Sequence, residues 1–198
     1  MWRWSYVLWF LSFVLPLLSQ TAFAEVQRFR LDANESQITA KVNDPFGNVV
    51  NGALRVRQGE ARGDLDRLAE TGAVNLVIDA ESYNSNIGLR NQDVQEYYLE
   101  VKQYPVIRFD STAVQKSERP QSPKEPFQIT LKGRLELHGV QKEVIVPLRL
   151  LYQTDKIIAQ GSFRFSLEEF NISVPRLFFL KSGNQVDVDF RIVGERQP

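Results

Sequence analysis

The chain of 198 residues has no cysteine. This excludes disulfides, thiolate metal sites, a cysteine nucleophile and lipid attachment through an N-terminal cysteine. It has one histidine, His138, so no multi-histidine metal set can form. Neither sign of charge dominates: 24 Lys and Arg stand against 24 Asp and Glu. No basic block is present to track a phosphate backbone, and nucleic-acid binding is not expected. Long apolar runs are missing after the first two dozen residues. All three tryptophans (Trp2, Trp4, Trp9) and the single methionine lie before that point.

Those first residues read as a secretory signal. Arg3 supplies a positive start, Val7 to Leu18 an apolar stretch shorter than the roughly 20 residues of a membrane span, and Ala22-Phe23-Ala24 a small-x-small cleavage site. The expected division is a cleaved signal over 1–24 and one domain over 25–198. The protein would then be periplasmic. Cleavage would leave a chain long enough to bury most of its apolar surface in one core.

The rest reads as strands. Phe127, Ile129, Leu131, Leu135 and Leu137 alternate with Gln128, Thr130, Lys132, Arg134 and Glu136, the period of a strand with one wet face. Val186 to Ile192, Gly161 to Phe165, Ile107 to Asp110 and Val74 to Ile78 repeat the pattern. Val144 to Leu151 carries Pro147, which marks an edge or a bulge. Turns are expected at 44–48 and 181–184, a hairpin loop at His138 to Lys142, and a solvated loop over Ser117 to Pro126. Asp64 to Glu70 is a short helical candidate. Asp93 to Gln103 is a better one, with Val94, Tyr97, Tyr98 and Val101 at helical spacing before Pro105. About eight strands with one apolar face each fit a sandwich or a closed barrel, and periodicity does not choose between them.

Three segments carry a resemblance. They are Ser82 to Asp93 followed by Tyr97 to Phe109, Gly133 to Val144 with its His138-Gly139-Val140, and Phe165 to Ile172. In this order they are similar to the YceI-like family of polyisoprenoid-binding, lipocalin-like proteins, over about Phe29 to Ile192. The sequence departs from the family where histidines are usual near the first hairpin, at Asp32 to Ser36 and Asn43 to Gly47. It also separates Arg90 from Asp93 by Asn91-Gln92. The resemblance implies an all-β fold, an eight-stranded antiparallel lipocalin-like barrel with one or two short helices. It further implies an apolar tunnel for a polyprenyl chain, as in a quinone or a prenyl phosphate. The residues expected to line it are Leu76, Ile78, Tyr97, Tyr98, Phe109, Ile129, Leu131, Leu135, Phe163, Phe165, Val188 and Phe190, with Arg90 and Asp93 at the head group.

Each candidate also has an ordinary reading. His138 could be a general base with Glu136, two residues away, as the nearby acid, but Glu136 also fits the polar face of a strand, no nucleophile stands out, and a residue shaping the hairpin turn is the favoured reading. Arg90 suits an anionic or carbonyl head, or a local ion pair with Asp93 capping a helix. Tyr97, Tyr98 and Tyr104 could line the tunnel or pack the helix. Asp187 and Asp189 could ligate Ca²⁺, but their alternation with apolar residues places them in water. Phe178-Phe179-Leu180 could plug a barrel end or touch a membrane or partner, and membrane contact, if it occurs, would be transient. Asn171-Ile172-Ser173 fits a glycosylation sequon of little weight. No cofactor is expected beyond a bound isoprenoid or quinone, no metal, and no catalytic residue. The partner class is an apolar or amphiphilic small molecule. The main rivals are a lipid-modifying enzyme and an envelope interaction or stress-response protein whose barrel is filled by its own side chains.

Overall fold

The computed structural model describes residues 26–122, 124–177 and 180–198. The proposed signal segment lies outside them, as do Phe178 and Phe179. The strands are β1 (Gln27–Leu31), β2 (Gln37–Asn43), β3 (Val49–Gly63), β4 (Ala73–Asn84), β5 (Val106–Glu118), β6 (Phe127–Leu137), β7 (Val140–Tyr152), β8 (Lys156–Ser166), β9 (Arg176–Leu177), β10 (Leu180–Lys181) and β11 (Gln185–Arg196). Two short helices, α1 (Leu68–Thr71) and α2 (Gly88–Asp93), join β3 to β4 and β4 to β5.

The main sheet closes on itself. Antiparallel pairing runs β11-β2-β3-β4-β5-β6-β7-β8 and returns from β8 to β11, so the barrel has eight wall positions, as expected. The extra strand β1 adds no ninth position. It pairs with β11 and β3 beyond the ends of their pairings with β2, so β1 and β2 share one place in the wall. The turn between them is held by Asp32, whose Oδ1 accepts the N–H groups of Asn34 (2.7 Å) and Glu35 (2.9 Å).

Alternation sets the core. In β6, Phe127, Ile129, Leu131, Leu135 and Leu137 are all buried, each contributing roughly 1.5–3 kcal/mol relative to exposure. Along β11, Val186, Val188 and Ile192 are buried. Asp187 and Asp189 face outward and pair with Arg164 and Lys41. Register irregularities in the β3–β4 and β5–β6 pairings let these long strands bend round the barrel.

The sequence expectations differ from the structure at three places. The short helix expected over Asp64 to Glu70 is α1, over Leu68–Thr71 only, because Asp64 to Arg67 form a turn. The hairpin loop expected over His138 to Lys142 is only His138-Gly139, and both residues are left-handed, at φ 52° and 71°. That is the conformation a two-residue β-hairpin turn requires. Pro147 lies on an edge, not at a bulge: β7 pairs with β6 in unbroken register through it, while pairing with β8 starts only at Leu148. The helix expected over Asp93 to Gln103 starts earlier, as α2, and passes into a π-helical turn over Val94–Tyr98.

The β3–β4 connection supplies a pH test. The Asp64 carboxylate is buried, accepting the Asp66 N–H (3.0 Å) and Arg67 Nε (3.1 Å). The Asp66 N–H chiefly holds its pKa below the usual carboxylate range, with help from Arg67 and against the effect of burial. The unfolded state therefore takes up this proton first. The stabilising contribution is complete above about pH 4 and fades as pH falls through the lower folded value. Thermal unfolding of Asp64→Asn should show a flatter acid arm between about pH 5 and 2 than the wild type. An unchanged slope would contradict this assignment.

Candidate functional site

The eight wall positions enclose one continuous apolar cavity of about 310 Å³, at the lower end of the roughly 300–1,000 Å³ usual for small-molecule sites. Every strand of the ring contributes, among them Ile38, Leu54, Leu76, Phe109, Leu131, Leu148, Phe163 and Val188. Among the described lining residues only Arg62, Tyr83 and Tyr98 carry polar side-chain groups. The cavity runs from α1, where Leu65 and Leu68 border it, to the end covered by α2 and the π-turn, where Tyr83, Val94, Tyr98 and Leu99 do.

The structure brings Leu76, Ile78, Tyr98, Phe109, Ile129, Leu131, Leu135, Phe163, Phe165, Val188 and Phe190 together around this space. Tyr97 is not among them and is 64 % exposed. The cause is the π-turn. Leu99 N–H reaches back to Val94 O at 2.8 Å, an i→i+5 bond. The wider turn rotates Tyr97 outward and sets Val94, Tyr98 and Leu99 against the cavity. Arg90 is half-buried and Asp93 exposed, and neither borders the cavity. No ion pair joins them among the described residues, and Asp93, at the N-cap position of the π-turn, makes no capping hydrogen bond with its side chain.

Tyr83 also borders the cavity, although the strand period does not mark it. Strict alternation from Leu76 through Ile78 and Ala80 would point an odd-numbered residue outward. A bulge intervenes: Ser82 Oγ accepts the Arg55 N–H at 2.8 Å and donates to Asp79 O at 2.6 Å, replacing backbone pairing. The bulge turns Tyr83 inward. Its ring sits so close to Gly52 that a Cβ there would overlap Cε2, Cζ and the hydroxyl. Burial pushes the Tyr83 phenol up from its usual pKa, partly opposed by the Arg90 charge and by Ser85. The beginning of the π-turn closes the nearby edge of β4, where Gln95 Nε2 donates to Glu81 O (2.9 Å) and Tyr83 O (3.0 Å).

The wall is incompletely paired at the same end. Strand β7 meets β8 only over Leu148 to Tyr152, so Val140–Pro147 lacks a strand neighbour on that side. The single 3-10 turn Glu168–Phe170 packs here against both strands. Phe170 is buried, with its ring edge-on to Phe165 at 5.2 Å. His138 ties this plug to the other loops. Its Nδ1–H donates to Phe170 O at 3.2 Å, and its ring contacts Tyr104 at 4.7 Å. Glu100 Oε2 lies 3.3 Å from Nε2, off the line of a ring N–H, so Nε2 makes no directed hydrogen bond. Glu136 bonds Gln141, not His138. These are fastening contacts between three loops. His138→Ala should cost about 1–3 kcal/mol and speed amide exchange at Phe170 to Ile172. Protection left at wild-type level would show that the imidazole fastens nothing.

One acidic trio among the described residues could share an ion: Asp32, Glu35 and Glu195, at the α1 end. Lys156 Nζ already supplies a positive charge there, 2.9 Å from Glu35 and 3.4 Å from Glu195.

A closed eight-stranded barrel around an apolar cavity, capped by a helical turn, is the architecture of lipocalin-like proteins. The chain belongs to the YceI-like family, whose model matches residues 29–194. Among solved structures it is similar to Burkholderia cenocepacia BcnA (20 % identity, TM-score 0.68, covering 82 % of this chain and 98 % of that one). It is also similar to a polyisoprenoid binding domain from Saccharophagus degradans implicated in plant cell wall breakdown (17 %, 0.63, covering 85 % and 98 %). A third is the Campylobacter jejuni YceI protein (15 %, 0.51, covering 99 % and 100 %). No curated protein matches the chain.

Proposed function

We propose that this protein is an exported, periplasmic carrier that holds an isoprenoid or similar amphiphilic lipid in its barrel and catalyses no reaction on it. The observation that carries this reading is the apolar cavity of about 310 Å³ threaded between the two ends of the barrel. Each methylene moved from water into it contributes roughly 0.8 kcal/mol, so a few isoprene units outweigh the cost of ordering the chain. Kinship with a polyisoprenoid binding domain supports the ligand class. A barrel filled by its own side chains would leave no such space.

Loading from a bilayer fits the capped end. Phe46 in the β2–β3 turn, and Ile87, Leu89 and Tyr97 in the β4–β5 connection, are all exposed there. Transient contact of these side chains with a membrane would bring the cavity to its ligand. No helix among the described residues is long and apolar enough to span one.

The test is transfer of a radiolabelled polyprenyl alcohol from vesicles to lipid-stripped protein, followed by separation of protein from vesicles. Saturation near one lipid per chain is expected. Recovery of label only with the vesicles would contradict the carrier reading.

A further inference from the structure

Beyond Leu148 and Gly161 no ladder joins β7 to β8. The two-residue turn at His138-Gly139 makes Leu137 and Val140 a hydrogen-bonded pair. Alternation then points the backbone groups of Gln141, Glu143, Ile145 and Pro147 away from β6 and toward β8. Accordingly, a Cβ on Gly161 would overlap the Pro147 carbonyl oxygen. The next rung needs an N–H that Pro147 lacks, and further along the Ser166 N–H is taken by Glu169 Oε2 at 3.3 Å. The strands cannot zip closed. The cavity reaches both edges of this gap: Val146 borders it from β7, Phe163 and Phe165 from β8, and Ile172 from the segment that follows. Between cavity and solvent stands the 3-10 turn Glu168–Phe170 with its buried ring. The turn is held unequally. On the β11 side Asn184 accepts the Leu167 N–H with its backbone O (2.9 Å) and the Glu168 N–H with Oδ1 (3.1 Å). On the β7 side one hydrogen bond is present among the described residues, from His138 Nδ1–H to Phe170 O at 3.2 Å.

We infer that this turn is a lateral gate: released from His138 and pivoting on its Asn184 contacts, it opens a slit between β7 and β8 through which the ligand's tail enters the cavity sideways. The inference rests on the carrier reading and adds the route. End-on entry through the capped mouth orders a flexible chain before most of it is buried. A slit along the wall lets each methylene exchange one apolar surrounding for another, without passing through water. The slit lies at the same end of the barrel as the exposed Phe46, Ile87, Leu89 and Tyr97. With Phe170 1 % exposed, the gate stands shut. A gate alters the path and not the end states, so it changes association and dissociation together and leaves Kd as it was.

The experiment follows farnesyl anthranilate, an isoprenoid tail on a small fluorophore, into and out of lipid-stripped protein by stopped flow. His138→Gly keeps the left-handed turn and removes only the latch. Both rates should rise about five- to tenfold, the worth of one hydrogen bond, with Kd unchanged. Because the chain has no cysteine, Ile145→Cys can carry a single polyethylene glycol maleimide at an exposed position on the β7 edge of the slit. Both rates should fall in this conjugate, and it decides alone if unfolding curves show His138→Gly to be unfolded. A weakened Kd with an unchanged association rate would show that the turn is fixed wall and overturn the gate. Wild-type rates in the folded variants would overturn it too. Either result leaves the carrier reading intact, whereas no uptake of the probe by the wild type would overturn both.

Discussion

Phe170→Ala is expected to destabilise the protein by about 3–5 kcal/mol, the usual cost of deleting a buried phenylalanine ring. At this chain length that corresponds to a fall in Tm of roughly 10 °C. Phe170 is 1 % exposed, and its ring meets Phe165 edge-on at 5.2 Å. The place it fills cannot collapse by strand movement. Pairing between β7 and β8 stops at Leu148 and Gly161, and Pro147, just beyond, has no N–H with which to extend it. Removing the ring therefore leaves an opening in the wall. Thermal unfolding monitored by circular dichroism is the measurement, with Phe170→Leu as the milder comparison. A Tm within about 2 °C of wild type for Phe170→Ala would show that the wall closes without this plug.

Ala159→Phe should cut loading by an apolar ligand by more than about tenfold while the barrel stays folded. Ala159 lies on β8 between Leu150 and Ile192, and its side chain faces the cavity. A phenyl ring there enters open apolar space rather than a packed core, so it avoids most of the roughly 1–3 kcal/mol that overpacking costs. It occupies the path of the tail instead. Displacing two methylenes removes about 1.6 kcal/mol of transfer free energy, already more than tenfold in affinity. Uptake of a polyprenyl probe from vesicles, beside an unfolding curve, separates the two effects. Wild-type uptake by a folded Ala159→Phe protein would place the ligand elsewhere.

The wall of the barrel was legible in the sequence wherever strands follow a strict period. Leu131 and Leu135 on β6, Phe163 and Phe165 on β8, and Val188 and Phe190 on β11 all border the cavity. Alternation alone fixes such faces once a strand is recognised. Closure was not legible in the period, which sandwiches and barrels share, and came instead from the resemblance of three segments to the YceI-like family. The residues that escaped lie where the period is interrupted. Tyr83 is turned inward by a bulge built on the Ser82 hydroxyl, and Tyr97 is turned outward by the π-turn over Val94–Tyr98. Phe170 sits in a 3-10 turn that no period marks. Gly52, next to Tyr83, was the one available clue, since a glycine inside a strand signals close approach of another group.

Whether the cavity holds a lipid is decided on the protein as the cell makes it. The chain is to be expressed at native level in its own host, isolated without detergent, and weighed by native mass spectrometry before and after solvent extraction. A single adduct of roughly one ligand mass per chain is predicted, extracting as a compound with a polyprenyl tail. A clean apoprotein mass, with no adduct after exposure to prenyl quinone, would show that the cavity holds no such lipid.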